Sequence, residues 1–173
     1  RAWAAYATSD LPKFYLDLGP YRKTAAKDSN PFTPAVNLYF GLEAALDMMQ
    51  KEGLEAIFAR HERHRAAAQA GMEAIGLPLF AATGHGSPAI TAVAPEGLDA
   101  ELLRKTVKEK FDILLAGGQD HLKGKVFRIG HLGYVCDRDV LTAVSAIEAT
   151  LHSLGLHKGT MGAGVAATSA ALG

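Results

Sequence analysis

Residues Phe111–Tyr134 read FDILLAGGQDHLKGKVFRIGHLGY. The stretch holds two short apolar runs, Ile113–Ala116 and Val126–His131, with a glycine- and lysine-containing turn between them. Runs of that length, rich in branched residues and bounded by glycine, predict strands. Within the second run Phe127 and Ile129 fall on one face, and Val126, Arg128 and Gly130 on the other. The apolar face is expected to meet helices. Arg128 then points away from that core, on a rigid mount.

The elements on either side complete a unit. Upstream, Ala89–Ala94 (AITAVA) predicts another strand. A helix is expected from Gly97 and Asp99, with Leu102, Leu103, Val107 and Phe111 along one side. Downstream, Asp137 suits the N-cap of a last helix, on which Val140, Val144, Ile147, Leu151 and Leu154 recur at helical spacing, and Gly155 ends it. The order strand, helix, strand, strand, helix implies a small antiparallel or mixed sheet with helices on one face, an α+β arrangement. Before it, two long helices are expected to pack on the same core. The first has Thr33 at the N-cap and Pro34 at the first helical position. The second carries Ile57, His61, His64, Ala68, Met72 and Ile75 on one face. Arg1–Thr8 suggests the end of a helix, Lys13–Leu18 an extended segment, and Gly19–Asn30 a polar junction. The Gly/Ala/Ser/Thr-rich residues 157–173 are expected to form a flexible tail.

Composition narrows the function classes. The chain has 173 residues, 49% hydrophobic and 21% charged, with 18 Lys+Arg against 18 Asp+Glu. Zero net charge gives no electrostatic footprint for nucleic acid or an anionic membrane. No apolar run is long enough to cross a bilayer, and no signal peptide is expected. The lone Cys136 makes no internal disulfide, so a reducing, cytoplasmic compartment is the expectation. A first residue of Arg1 fits either a processed protein or part of a longer polypeptide.

Few side chains suggest chemistry. Arg128 has a guanidinium fork that fits a carboxylate at two points; a solvated strand arginine or a structural ion pair is the alternative. His61 and His64 lie one helical turn apart, but no cysteine or third histidine stands at ligand spacing, so a solvated helix face is expected. His85 reads as a loop residue and Cys136 as an ordinary thiol. Gly117, Gly118 and Gly124 lack the GxxxxGK[ST] spacing of a phosphate loop and read as a turn.

Two stretches in order, Asn30–Leu46 (NPFTPAVNLYFGLEAAL) and Phe111–Tyr134, resemble class V aminotransferases, especially the alanine–glyoxylate and serine–glyoxylate group. So do SPAITAV at Ser87–Val93 and PEG at Pro95–Gly97. The resemblance runs from about Phe14 to about Leu154. It implies an α/β fold of the pyridoxal-phosphate-dependent transferase type, of which this chain is mainly the small C-terminal α+β domain. Residues 1–30 would end the large cofactor domain and form the junction. Residues 31–156 would be the small domain with its long leading helices.

The resemblance also implies a function. The complete enzyme would be a homodimer that binds pyridoxal 5'-phosphate and moves an amino group from alanine or serine to a keto acid such as glyoxylate. Arg128 would hold the substrate carboxylate. Thr33 would reach the cofactor phosphate of the neighbouring subunit. Asn30 stands where some members carry a tyrosine on that phosphate, and would donate with a different reach. The Schiff-base lysine is expected in a missing N-terminal part, since Lys13, Lys23 and Lys27 lie in the wrong context. The chain alone would then be inactive. A cofactor-free binding or assembly module of the same descent is one alternative, and an unrelated α+β domain with a small-molecule pocket is another.

Overall fold

The sheet expected from the glycine-bounded apolar runs is present in the computed structural model, which describes all 173 residues. The chain divides into two units, Arg1–Lys51 and Glu52–Gly173.

The first unit is helical. Helix α1 spans Ala2–Thr8, α2 Leu18–Ala25, and α3 begins at Val36 and runs to Glu52. Asp17 starts α2: its carboxylate accepts from the amide of Gly19 at 3.0 Å and from the hydroxyl of Tyr6 at 2.7 Å. The polar junction expected over Gly19–Asn30 is therefore partly helical, and Phe14–Leu18 forms a turn and a helix start rather than an extended segment. Phe14, Tyr15, Tyr21 and Phe32 stack in one aromatic cluster, with ring centroids 4.4 to 6.0 Å apart. Helix α3 has no buried residue.

The second unit holds the core. Helix α4 (Leu54–Ala74) follows Gly53, whose φ of 88° is one that glycine readily adopts. Strand β1 is Ile90–Val93, α5 is Ala100–Phe111, β2 is Ala116–Gly117, β3 is Phe127–Gly130 and α6 is Asp137–Ser153. The three strands pair antiparallel in the order β1-β3-β2. Thr91, Val93, Phe127 and Ile129 are buried, while Ile90, Ala92 and Arg128 are only half covered. The buried face meets Met72, Leu103, Val107, Val144, Ile147 and Leu151 from the helices. Each such large apolar side chain contributes about 1.5–3 kcal/mol on leaving water.

β2 is shorter than the expected Ile113–Ala116 run. Leu115 is buried, but only Ala116 and Gly117 pair with β3. α5 starts as expected, with the Asp99 carboxylate accepting from the amide of Glu101 at 2.8 Å. α6 starts differently. Cys136 is its N-cap, and its amide donates to Asp139 at 2.9 Å. Asp137 is drawn instead to His64 and Arg63.

The expected flexible tail is a further correction. Ala163–Leu172 forms helix α7, with Gly164 and Thr168 buried. A Cβ on Gly164 would lie 2.8 Å from Ile75 Cγ2 and 3.1 Å from Val144 Cγ1, and one on Gly71 would overlap the Thr168 hydroxyl. Glycine at these two positions lets α7 approach α4 and α6 closely. Glu148 of α6, buried, accepts from the amides of Gly162 at 2.9 Å and Gly164 at 3.3 Å. A carboxylate suits that helix N-terminus, where backbone amides are free.

Candidate active site

β3 is the central strand and presents Arg128 on the half-open face of the sheet. Alternation places it there, because Phe127 and Ile129 occupy the buried face. Its cross-strand partners are Ala92 on β1 and Ala116 on β2. Two methyl-sized neighbours leave room around the guanidinium. Nε donates to the carbonyl of Gly117 at 3.1 Å. That bond uses Nε alone and leaves the two terminal nitrogens without a hydrogen-bond partner in the chain, as donors that can take the oxygens of a carboxylate.

The segment after β3 is pinned by histidines. His131 is buried and its Nε2 lies 2.9 Å from the Thr91 hydroxyl. Burial pushes His131 below its ordinary value, against a smaller upward pull from the Pro88 carbonyl. The amide of Gly133 donates to His61 Nε2 at 3.1 Å, and His61 Nδ1 lies 2.7 Å from the Ile57 carbonyl. A carbonyl only accepts, so Nδ1 carries the proton in that arrangement. His64 is fully buried, and its Nε2 lies 2.8 Å from Asp137. The hydrogen bonds from His64 and then Arg63 hold the Asp137 carboxyl below the usual range. Arg60 completes the tether with bonds to the carbonyls of Gly133 and Val135 at 2.9 and 3.0 Å.

The expected solvated face for His61 and His64 is thus overturned. Both reach across to the segment that follows β3, and His64 is covered completely. The indication in the sequence was their place on the same helical stripe as Ala68 and Met72. No group of three metal-ligating side chains is formed.

Thr33 and Asn30 belong to the first unit. They share a concavity of about 730 Å³ with Tyr15, Phe32 and Pro34, and both are exposed. Thr33 is not the N-cap of α3. The first α-helical bond runs from the amide of Tyr39 to the carbonyl of Ala35, two residues further on. Thr33 keeps an exposed hydroxyl beside the start of a helix, a place compatible with a phosphate. Arg128 lies in the second unit. A cavity of about 590 Å³ there, between Ile75, Leu77, Leu98 and Leu156, contains none of the expected site residues.

No protein-family model matches the chain. It is 37% identical over 169 residues to the L-aspartate–glyoxylate aminotransferase of Paracoccus denitrificans, spanning 96% of this chain and 42% of that protein. The crystal structure of pyridoxamine–pyruvate aminotransferase from Mesorhizobium loti superposes with a TM-score of 0.88 at 32% identity, over 99% of this chain and 45% of that one. Its relatives include class V aminotransferases, which it resembles over nearly all of its own length. It corresponds to the C-terminal part, and spans about 45% of the length of the curated relatives it matches. It is also 64% identical over 172 residues to a protein of Synechococcus sp. described as the small subunit of a soluble hydrogenase, of which it covers 45%.

Proposed function

We propose that the complete protein is a pyridoxal-phosphate-dependent aminotransferase, and that this class V segment supplies its substrate-carboxylate site. The observation that carries the reading is Arg128: a strand-mounted guanidinium, fixed through Nε and flanked by two alanines. Alanine or serine as donor and glyoxylate as acceptor both carry a carboxylate. They occupy one site in turn, so one arginine serves both half-reactions. Thr33 and Asn30 are the residues here that would touch the cofactor phosphate, within a homodimer. Their exposed polar groups beside a helix start fit that task. The bound cofactor would accept the substrate's amino group and serve as the sink for the electrons released at its α-carbon. Its lysine is expected outside these residues, so the chain alone is inactive in this reading. A reducing, cytoplasmic setting suits it.

Removing a charge-assisted, two-point contact in a water-poor site costs on the order of 2–5 kcal/mol. Arg128→Ala in the complete protein should weaken both substrates while bound cofactor, read by absorbance, is unchanged. Arg128→Lys should be impaired too, since one ammonium does not replace a fork. Thr33→Ala should lose cofactor first. Normal single-turnover conversion of alanine and glyoxylate by Arg128→Ala would make Arg128 a surface residue and sink the assignment.

The name of the 64%-identical relative motivates a second reading, hydrogen activation by the whole protein. This chain offers one thiol, Cys136, exposed, so the metal centre would have to be assembled elsewhere in the polypeptide. Hydrogen uptake by purified protein that shows no amino transfer would favour this reading.

A further inference from the structure

β2 is an edge strand of two residues, paired only to β3. So short a ladder provides few bonds of its own, and its position depends on what else grips it. Arg104 of α5 supplies a grip: its Nε donates to the carbonyl of Leu115, just before β2, at 2.7 Å. Its Nη1 is held by both carboxylate oxygens of Glu101 at 2.8 and 2.7 Å. This pair lies directly against Gly117, where a Cβ would come within 2.6 Å of Arg104 Nη1 and 2.8 Å of Glu101 Oε1. The carbonyl of Gly117 in turn takes Nε of Arg128. The contacts run unbroken from Glu101 through Arg104 and the backbone of residues 115–117 to Arg128.

We infer that Arg104, braced by Glu101, is a positioning residue that sets the plane of the Arg128 carboxylate fork. This rests on the reading of Arg128 as the carboxylate site. A fork must present both prongs in one plane, and a guanidinium held in advance loses less freedom on binding. The carbonyl that holds it is only as fixed as the edge strand that carries it. α5 itself is anchored independently by Leu103 and Val107 in the core. Loss of the Arg104 grip therefore displaces the edge without unfolding the helix. Lysine at 104 cannot replace it, because one ammonium does not hold Leu115 and Glu101 in fixed directions together.

The test uses the complete, cofactor-loaded protein and compares kcat/KM for alanine with that for alaninamide, which lacks the carboxylate. Arg104→Lys should lower this preference on the order of tenfold or more, through KM for alanine, with melting temperature and bound cofactor unchanged. Gly117→Ala reaches the same end by another route, because its methyl displaces the pair while leaving Arg104 in the chain. It carries the test if Arg104→Lys fails to fold. Arg128→Ala is the control and should abolish the preference. A wild type without the preference, or an Arg128→Ala variant that keeps it, overturns the carboxylate reading and this inference with it. Loss of the preference in Arg128→Ala, with full retention in the folded Arg104→Lys or Gly117→Ala variants, overturns the role of Arg104 alone. So does a lowered melting temperature with an unchanged preference.

Discussion

Helices α3 and α7 make opposite use of their side chains. α3 carries Leu38, Tyr39, Phe40, Leu42, Leu46 and Met49 and buries none of them. α7 is built mostly of alanine, glycine, serine and threonine, yet buries Gly164 and Thr168 against α4 and α6. Large apolar side chains at helical spacing say that a helix will be covered by something; they do not say by what. Small residues give no apolar stripe, yet they allow backbones to approach where a larger side chain would collide. Packing in this chain follows the available neighbour and the fit, and apolar content alone does not rank the two helices.

Glu148 provides the harshest test of the α7 side of that contrast. It is buried and accepts from two amides at the start of α7, and His157 Nε2 lies 3.3 Å away. Glu148→Ala would leave the buried Gly164 amide and the covered His157 ring without their partner, and should cost about 3 kcal/mol. Urea unfolding of the chain measures it. A loss below 1 kcal/mol would mean that α7 is only loosely docked. Gly71→Val comes next. Its side chain would enter space held by Thr168 and Val144, and overpacking of this kind costs about 1–3 kcal/mol. The same measurement with a Gly71→Ala variant should give an intermediate loss.

Acid should act on the same buried unit at two stages. His131 is held below its ordinary value by burial. Below about pH 6.5, the unfolded chain takes up a proton that the folded chain refuses, so stability falls as pH drops through that region. Asp137, Asp139 and Glu52 are held below the usual carboxylate range, chiefly by hydrogen bonds from His64, the Cys136 amide and Arg60 respectively. Their contribution is complete above about pH 4 and is lost as pH falls through their lowered values. Stability plotted from pH 7.5 to 3 should therefore decline in two steps. A His131→Asn variant should flatten the upper step and leave the lower one. An unaltered upper step would assign it to another group.

The periodic segments were readable before the fold was known, because strand and helix spacing reflect a local demand to face a core. β1, β3, α4, α5 and α6 lie where alternation and the 3.6-residue repeat put them. So does the outward face of Arg128. What escaped the sequence depends on partners far along the chain. Asp137 has the chemistry of a cap, but His64, 73 residues earlier, holds it, and Cys136 and Asp139 start α6. Thr33 precedes Pro34 as an N-cap would, yet the helix begins after Ala35. His64 sits among charged neighbours that suggest solvent, while its stripe with Ala68 and Met72 pointed inward. For the candidate site, the facing of Arg128 was legible from strand parity, and its carboxylate role came only from the family resemblance. The Arg104–Leu115 contact that braces its edge strand was not legible, because a side-chain bond to a loop carbonyl leaves no pattern.

The smallest expected effect is on α3, and it decides whether that helix differs in kind from α7. Leu38 and Phe40 are 75% and 65% exposed, so both stay largely in water whether the chain is folded or not. Replacing them with lysine, Leu38→Lys with Phe40→Lys, should shift the folding free energy by no more than about 0.5 kcal/mol. Helix propensity does not oppose the change, since lysine is as good a helix former as leucine and better than phenylalanine. The effect should appear in association. Exposed Leu38, Phe40, Leu42 and Leu46 are the sort of surface that meets another protein surface, and two positive charges there disfavour contact. Sedimentation of the wild-type chain should show self-association that the double variant lacks, at equal unfolding midpoints. A drop of about 2 kcal/mol or more would be the size expected for a buried apolar pair. α3 would then be packed within the chain's own core, and the contrast with α7 would fail.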